Sequence, residues 1–298
     1  MKRFIDTSLG SVAVRIRPAS SSTRIPPDSP PWVLLHGASG SWRTFRELAR
    51  NGALPDTGDL VIIDLPGWGN SPGSRLPFTV EQQSSAVVEV LRALGYRSWY
   101  LFGHSMGAVL ALDIAASHPE ETHAVVALSP TALTAVAALN HPLRHPAMAP
   151  LLGMCGLMFI LRALGRSAPA LLRTVERAGL LRLVLRPFFA HPSVLPRQVF
   201  ADLALDARPA SFLAAAHALR KYDAGTWHSI SAPTVLVRGN KDIFTPPDEL
   251  RALAALIPHA HRVVLDDTGH FAHIEDATGT AGLMTALRAA SQTLDALD

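Results

Sequence analysis

The chain carries a single cysteine, Cys155, among 298 residues, so no disulfide can form within it and its thiol content makes no demand on an oxidising compartment. Packing is the expected role of Cys155. Charge is also sparse: 17% of residues are Asp, Glu, Lys or Arg, with a net charge of +3. The basic residues are scattered and not interleaved with aromatics, so the footprint of a nucleic-acid binder is missing. At the start, Met1-Lys2-Arg3-Phe4-Ile5-Asp6 reaches an acid before any hydrophobic stretch develops. No signal peptide is therefore expected, and the cytoplasm is the default location. The most apolar run, Ala147–Leu161, contains Pro150, Gly153 and Gly156 and reads as shorter than the ~18–20 residues of a spanning helix. A buried or interfacial helix is expected there. Gly67, Gly69 and Gly73 have neither the G-x-G-x-x-G spacing nor a helix behind them, which excludes a phosphate-cradling loop. His141 and His145 have i, i+4 spacing, but Pro142 and Pro146 flank them and no Glu lies between. Neither a metal nor a cofactor is expected.

What is present is apolar sequence in short runs, 48% of the whole. Phe4–Thr7 and Ser11–Arg17 alternate with period two around Gly10, as an antiparallel hairpin does. A Ser/Pro-rich connection covers 20–31. Trp32–Leu35, Asp59–Asp64, Ser98–Phe102, Ala124–Leu128, Thr234–Arg238 and Arg262–Leu265 are continuous apolar runs, the signature of strands buried on both faces. Helical patterns stand between them: 42–51; Phe78–Leu94, opened by a Thr79/Gln82 capping box and stopped by Gly95; 106–118; Asp248–Leu256, with Pro at its first turn; and Gly279–Leu294. Alternation of this kind predicts an α/β fold, a mostly parallel central sheet with helices on both faces and the ligand site at the carboxyl ends of the strands. From 131 to 228 the rhythm breaks into Leu/Ala/Arg helical patterns punctuated by prolines. The expected organisation is a core of 1–130 and 229–298 with a helical insertion, 131–228, as its lid. Arg162, Arg166, Arg173, Arg177, Arg182 and Arg186 make the insertion basic. Such a layer covers an oily pocket, contacts a membrane surface, or merely rests arginine stems on apolar surface.

The stretch Gly103-His104-Ser105-Met106-Gly107 follows a strand and opens a helix, the context in which G-x-S-x-G holds a nucleophilic serine on a sharp turn. Crowding against strand and helix explains why both flanking residues lack a Cβ. A serine hydroxyl needs a base within reach, and the imidazole that serves needs an acid to fix its tautomer. Asp242 follows the penultimate strand and His270 the last one, so both are expected at the same sheet edge as Ser105, in the chain order Ser, Asp, His. Asp64 reads as a loop-holding residue, and His36, His104 and His273 as scaffolding.

With these stretches the chain resembles an α/β hydrolase of the lid-bearing, esterase- or lipase-like type over nearly its whole length. The likeness is carried by His36-Gly37-Ala38-Ser39-Gly40, Asp64-Leu65-Pro66-Gly67-Trp68-Gly69-Asn70-Ser71, Gly103-His104-Ser105-Met106-Gly107, Gly239-Asn240-Lys241-Asp242 and Gly269-His270-Phe271. It implies that the backbone N–H groups of Ala38 and Met106 form an oxyanion hole, where negative charge develops on a tetrahedral intermediate. Trp68 departs from the family's loop, which often carries histidine there. The family's epoxide hydrolases and dehalogenases attack with aspartate; serine at 105 favours acyl transfer to water instead.

The function expected is therefore cleavage of a carboxylic ester through an acyl-enzyme. A C–C or thioester hydrolase on the same three residues is one alternative, and a non-catalytic binder on a hydrolase scaffold is another. An apolar small molecule is the expected partner, without nucleic acid and with no oligomeric state specified. Leu151, Leu152, Met154, Leu157, Met158 and Phe159 of the insertion are the expected wall of its pocket, with Trp42, Trp68 and Met106 as its floor.

Overall fold

The computed structural model of the protein describes residues 1–19, 29–50, 54, 58–71 and 78–295. Most of the 20–31 connection and the end of the 42–51 pattern lie outside them. Strands β1 (Lys2–Thr7) and β2 (Gly10–Arg17) form the leading antiparallel hairpin, Lys2 opposite Arg15. Strands β3 (Trp32–Leu35), β4 (Leu60–Ile63), β5 (Trp99–His104), β6 (Thr122–Leu128), β7 (Thr234–Gly239) and β8 (His261–Leu265) complete one sheet in the order β1-β2-β4-β3-β5-β6-β7-β8. β2 pairs antiparallel with β4, and every pair from β4 to β8 is parallel.

The apolar runs are strands because both faces of the sheet are covered. Val33, Leu35, Ile63, Leu101 and Val125 enter one buried cluster and Leu34, Ile62, Phe102, Val126 and Val237 another, the two-residue period of a strand sorting them. Helices α2 (Val80–Ala93), α3 (Met106–Ser117) and α10 (Pro247–Leu256) pack on the first face, and α1 (Arg46–Arg50) with α12 (Ala277–Asp295) on the second. The capping box is in place, with Thr79 accepting from the Gln82 N–H and Gln82 answering to the Thr79 N–H. A one-turn helix, α11 (Ala272–Glu275), precedes α12 and was not legible in the pattern.

Between β6 and β7 the chain runs through α4 (Leu133–Asn140), α5 (Ala149–Ala163), α6 (Ala168–Arg177), α7 (Leu181–Leu185), α8 (Arg197–Leu205) and α9 (Pro209–Lys221). Pro150 does not interrupt α5, because it stands in the first turn, where its missing N–H has no intrahelical partner to lose. Gly153 and Gly156 face open space within the same helix. With the 3-10 turn before it, Pro146–Ala163 reaches 18 residues and, by length and composition alone, is long and apolar enough to cross a membrane, which corrects the shorter reading of this run. In the fold, Leu151, Met158 and Leu161 of α5 turn inward, while Phe159 is 66% and Ile160 58% exposed.

Candidate active site

Register brings the carboxyl ends of five strands to one edge: Leu35 pairs with Gly103, His104 with Leu128, Leu128 with Val237, and Gly239 with Leu265. Ser105 follows β5 directly, with φ 55° and ψ −117°. A serine in that region is strained by about 1–3 kcal/mol and persists only where its surroundings fix it. They do so closely. The Ser105 N–H donates to the Leu128 carbonyl at 2.9 Å. A Cβ on Gly103 would stand 2.2 Å from the Gly107 carbonyl oxygen, and one on Gly107 would stand 2.1 Å from that of Leu35. Strand and helix thus approach so tightly at the turn that neither flank accepts a side chain.

His270 and Asp242 meet across the ends of β7 and β8. The His270 Nδ1 lies 3.0 Å from Oδ1 and 3.1 Å from Oδ2 of Asp242, and both side chains are buried. Asp242 also accepts from the N–H groups of Phe244 at 2.8 Å and Thr245 at 3.2 Å. Burial by itself pushes this carboxyl up, but the His270 imidazole and the Phe244 N–H outweigh it and hold Asp242 below the usual carboxylate range. The His270 backbone is fixed from two sides, its N–H donating to Phe188 O at 2.8 Å and its carbonyl accepting from His104 Nε2 at 2.9 Å. Burial, reinforced by the neighbouring His273 and His270, keeps His104 well below the imidazole range. It is therefore neutral, and its Nε2–H is the donor.

Ser105, His270, Met106 and Ala38 line one cavity of about 160 Å³. Among the described residues, neither the Ala38 nor the Met106 amide donates to a protein acceptor. Met106 opens α3, so its N–H belongs to the unsatisfied first turn of that helix, where the dipole favours negative charge. The Ser105 Oγ lies 3.2 Å from Thr131 Oγ1, whose hydroxyl in turn donates to Ser129 O at 3.4 Å. Sequence reasoning treated Thr131 only as the start of the insertion; a hydroxyl just beyond the neighbouring strand was the available signal.

The expected pocket residues divide. Leu151, Met154, Leu157 and Met158 line the cavity with Met106, beside Leu161 of the same helix as the first four. Trp42, Trp68, Leu152 and Phe159 stand outside its lining. Trp68 is fully enclosed in the core against His36, their ring centroids 6.4 Å apart. Trp42 lies under the Arg15 guanidinium, 3.7 Å from its ring centroid. Phe159 points away on the outer face of α5, and Leu152 is half-buried beyond the wall. The remaining wall comes from residues not singled out in the sequence, among them Val109, Leu181, Phe212 and Leu219.

The scaffolding residues are where their types suggested. Asp64 accepts from the N–H groups of Trp42 at 2.7 Å and Asn70 at 2.9 Å. His36 Nε2 accepts from Leu65 N–H at 3.0 Å, so its Nδ1 carries the proton toward Gly37 O.

The family model for the alpha/beta hydrolase fold matches residues 30–277. Among curated proteins, the pimeloyl-[acyl-carrier protein] methyl ester esterase of Neisseria meningitidis serogroup C is 28% identical over 254 residues, covering 84% of this chain and 90% of that protein. Two solved structures align over nearly the full length. The esterase EaEST from Exiguobacterium antarcticum has a TM-score of 0.71 at 20% identity, covering 97% of this chain and 99% of its own. The enol-lactonase from Burkholderia xenovorans has a TM-score of 0.70 at 18% identity, covering 96% and 99%.

Proposed function

The chain belongs to the alpha/beta hydrolase fold family, an enzyme family of hydrolases, and on that footing we propose that it cleaves a carboxylic ester with an apolar acyl or alcohol part through an acyl-enzyme formed on Ser105. One observation carries the reading. Ser105, held at φ 55° on the turn after β5, faces the same cavity as His270, whose Nδ1 is already engaged by Asp242 at 3.0 Å. That engagement leaves Nε2 as the nitrogen for proton transfer. His270 takes the Ser105 proton as the hydroxyl attacks the acyl carbon and returns it to the leaving alcohol. It then activates the water that releases the acid. Asp242 fixes the tautomer and stabilises the imidazolium. The Ala38 and Met106 amides face the oxyanion, each worth about 3–4 kcal/mol in such sites.

The insertion 131–228, with helices α4 to α9, acts as the lid in this reading, supplying the acyl wall. The likeness to a methyl ester esterase supports an ester as the bond attacked. The cavity volume of about 160 Å³ is close to the ~150 Å³ of an apolar cavity that admits benzene, so a ring or a medium chain is the group it suits. The test is hydrolysis of p-nitrophenyl esters together with fluorophosphonate labelling. Wild type is expected to label at Ser105, Ser105→Ala to be silent, and His270→Ala and Asp242→Asn each to lose about 10³–10⁴-fold in kcat. Folded wild type that neither labels nor turns over any ester would overturn the reading.

A further inference from the structure

Helix α2 directs a stripe of Val80, Gln83, Val87, Val90 and Leu91 inward, the spacing of a core-facing helical edge. Gln83 is the polar member of this stripe. It is 1% exposed and lines the cavity that holds Ser105 and His270. Its side-chain Oε1 has no hydrogen-bond partner among the described residues. The residues with which α2 and α3 meet that cavity are otherwise apolar: Val80, Val109 and Leu110, with Met106 at the turn. A buried amide oxygen left unpaired costs free energy that a leucine or methionine of similar size does not. The cost disappears when a donor enters the cavity.

The chemistry of the entering group follows from the wall. A glutamine amide accepts through its oxygen and donates through its nitrogen, so it pairs with a hydroxyl or another amide. Among the described residues no Lys, Arg, Asp or Glu lines the cavity, and a charged group would find no counter-ion among them. We infer that Gln83 forms a polar subsite in the wall of the acyl cavity and takes a neutral hydroxyl or amide borne on the apolar part of the substrate, away from the ester. The inference rests on the ester-hydrolase reading of Ser105 and deepens it. The enzyme would then select chains functionalised along or at the end of their length over plain hydrocarbon chains.

The experiment uses matched pairs of p-nitrophenyl butanoate, hexanoate and octanoate, each methyl-ended or ω-hydroxylated, with wild type, Gln83→Leu and Gln83→Met. The readout is the ratio of kcat/KM for the hydroxylated over the plain ester within each protein. In wild type this ratio is expected to peak at one chain length, which measures the spacing from Ser105 to Gln83. In both variants the peak should fall by about tenfold, while ratios at the other lengths stay level. Equal profiles in wild type and variants overturn the subsite. Thermal shifts by 1-hexanol and 1,6-hexanediol give a second readout that needs no catalysis. The diol's advantage in wild type over Gln83→Leu is expected to survive even if no ester is hydrolysed; in that case the ester reading has failed alone, and an equal shift in both proteins overturns the subsite.

Discussion

At the scale of single residues, the turn around Ser105 is decided by atoms that are not there. The Cβ of an alanine at Gly103 would meet the Gly107 carbonyl at 2.2 Å, and one at Gly107 would meet the Leu35 carbonyl at 2.1 Å. These obstacles are backbone, which cannot swing aside as a side chain would. Gly103→Ala and Gly107→Ala are each expected to lose about 3 kcal/mol or more, read as the denaturation midpoint. Gly153 and Gly156 of α5 face open space, so alanine there should stabilise by about 0.5–1 kcal/mol. Asp242 gives a pH-dependent counterpart. Its folded pKa lies below the ordinary 3.8 despite burial, because His270 and the Phe244 N–H favour the charged form. The unfolded chain therefore binds the proton first on acidification. The stability from this group is complete above the unfolded value and is lost as pH falls through the folded one. Chemical denaturation from pH 7 to pH 3 is expected to show the gap between wild type and Asp242→Asn closing below about pH 4.

At the scale of elements, the strands were legible because burial on both faces turns a strand into an uninterrupted apolar run, and Trp32–Leu35 or Ala124–Leu128 could hardly be anything else. Their lateral order was not, since nothing local says that β3 inserts between β4 and β5. That Ser105, Asp242 and His270 come to one sheet edge was legible because each follows a strand end. The pocket wall was legible in part: Leu151, Met154, Leu157 and Met158 line the cavity, but a Leu/Met-rich helix does not declare which face looks inward, and Leu152 and Phe159 of the same helix do not line it. Tryptophans misled for a related reason, as size and apolarity suit a pocket and a core equally, and Trp68 is core. Glu249 carries no signal in the sequence, where it is one of two acids in the first turn of α10. In the fold its carboxylate, buried, accepts from the N–H groups of Ala132 at 3.2 Å, Leu133 at 2.7 Å and Thr134 at 2.7 Å, capping α4 from a different helix. Glu249→Ala leaves these donors unpaired and is expected to cost about 2–4 kcal/mol. Burial raises the Glu249 pKa above the ordinary 4.5, and the three N–H groups offset this only in part. The folded state then holds the proton longer, so wild type loses stability as pH rises through the window above 4.5. Glu249→Gln has no such loss, and its deficit against wild type should narrow over that window in denaturant titrations.

At the scale of the whole molecule, the sequence suggests two units, a sheet core and the insertion 131–228, but the packing ties them together. One apolar cluster contains Val33, Leu101 and Trp68 from the core and Met158, Leu161 and Phe212 from the helices between β6 and β7. Polar contacts cross the same boundary. Arg43 reaches Asp206 at 2.7 Å, Arg46 reaches Asp202 at 2.9 Å, Glu249 caps α4, and the His270 N–H is held by Phe188 O at 2.8 Å. The last of these matters most, because the backbone of the proposed base is positioned by a residue from the inserted segment. Loosening α7 and the turn after it would therefore disturb His270 before the sheet itself opened. A separable insertion predicts two unfolding transitions, with loss of reactivity in the first. A shared core predicts one, because detaching the helices strips the cover from apolar residues of the sheet face. The expected result is a single transition in guanidinium, with far-UV circular dichroism, tryptophan fluorescence and fluorophosphonate labelling of Ser105 sharing one midpoint. Labelling lost at clearly lower denaturant than the dichroism signal would show instead that the helices open as a unit over an intact sheet.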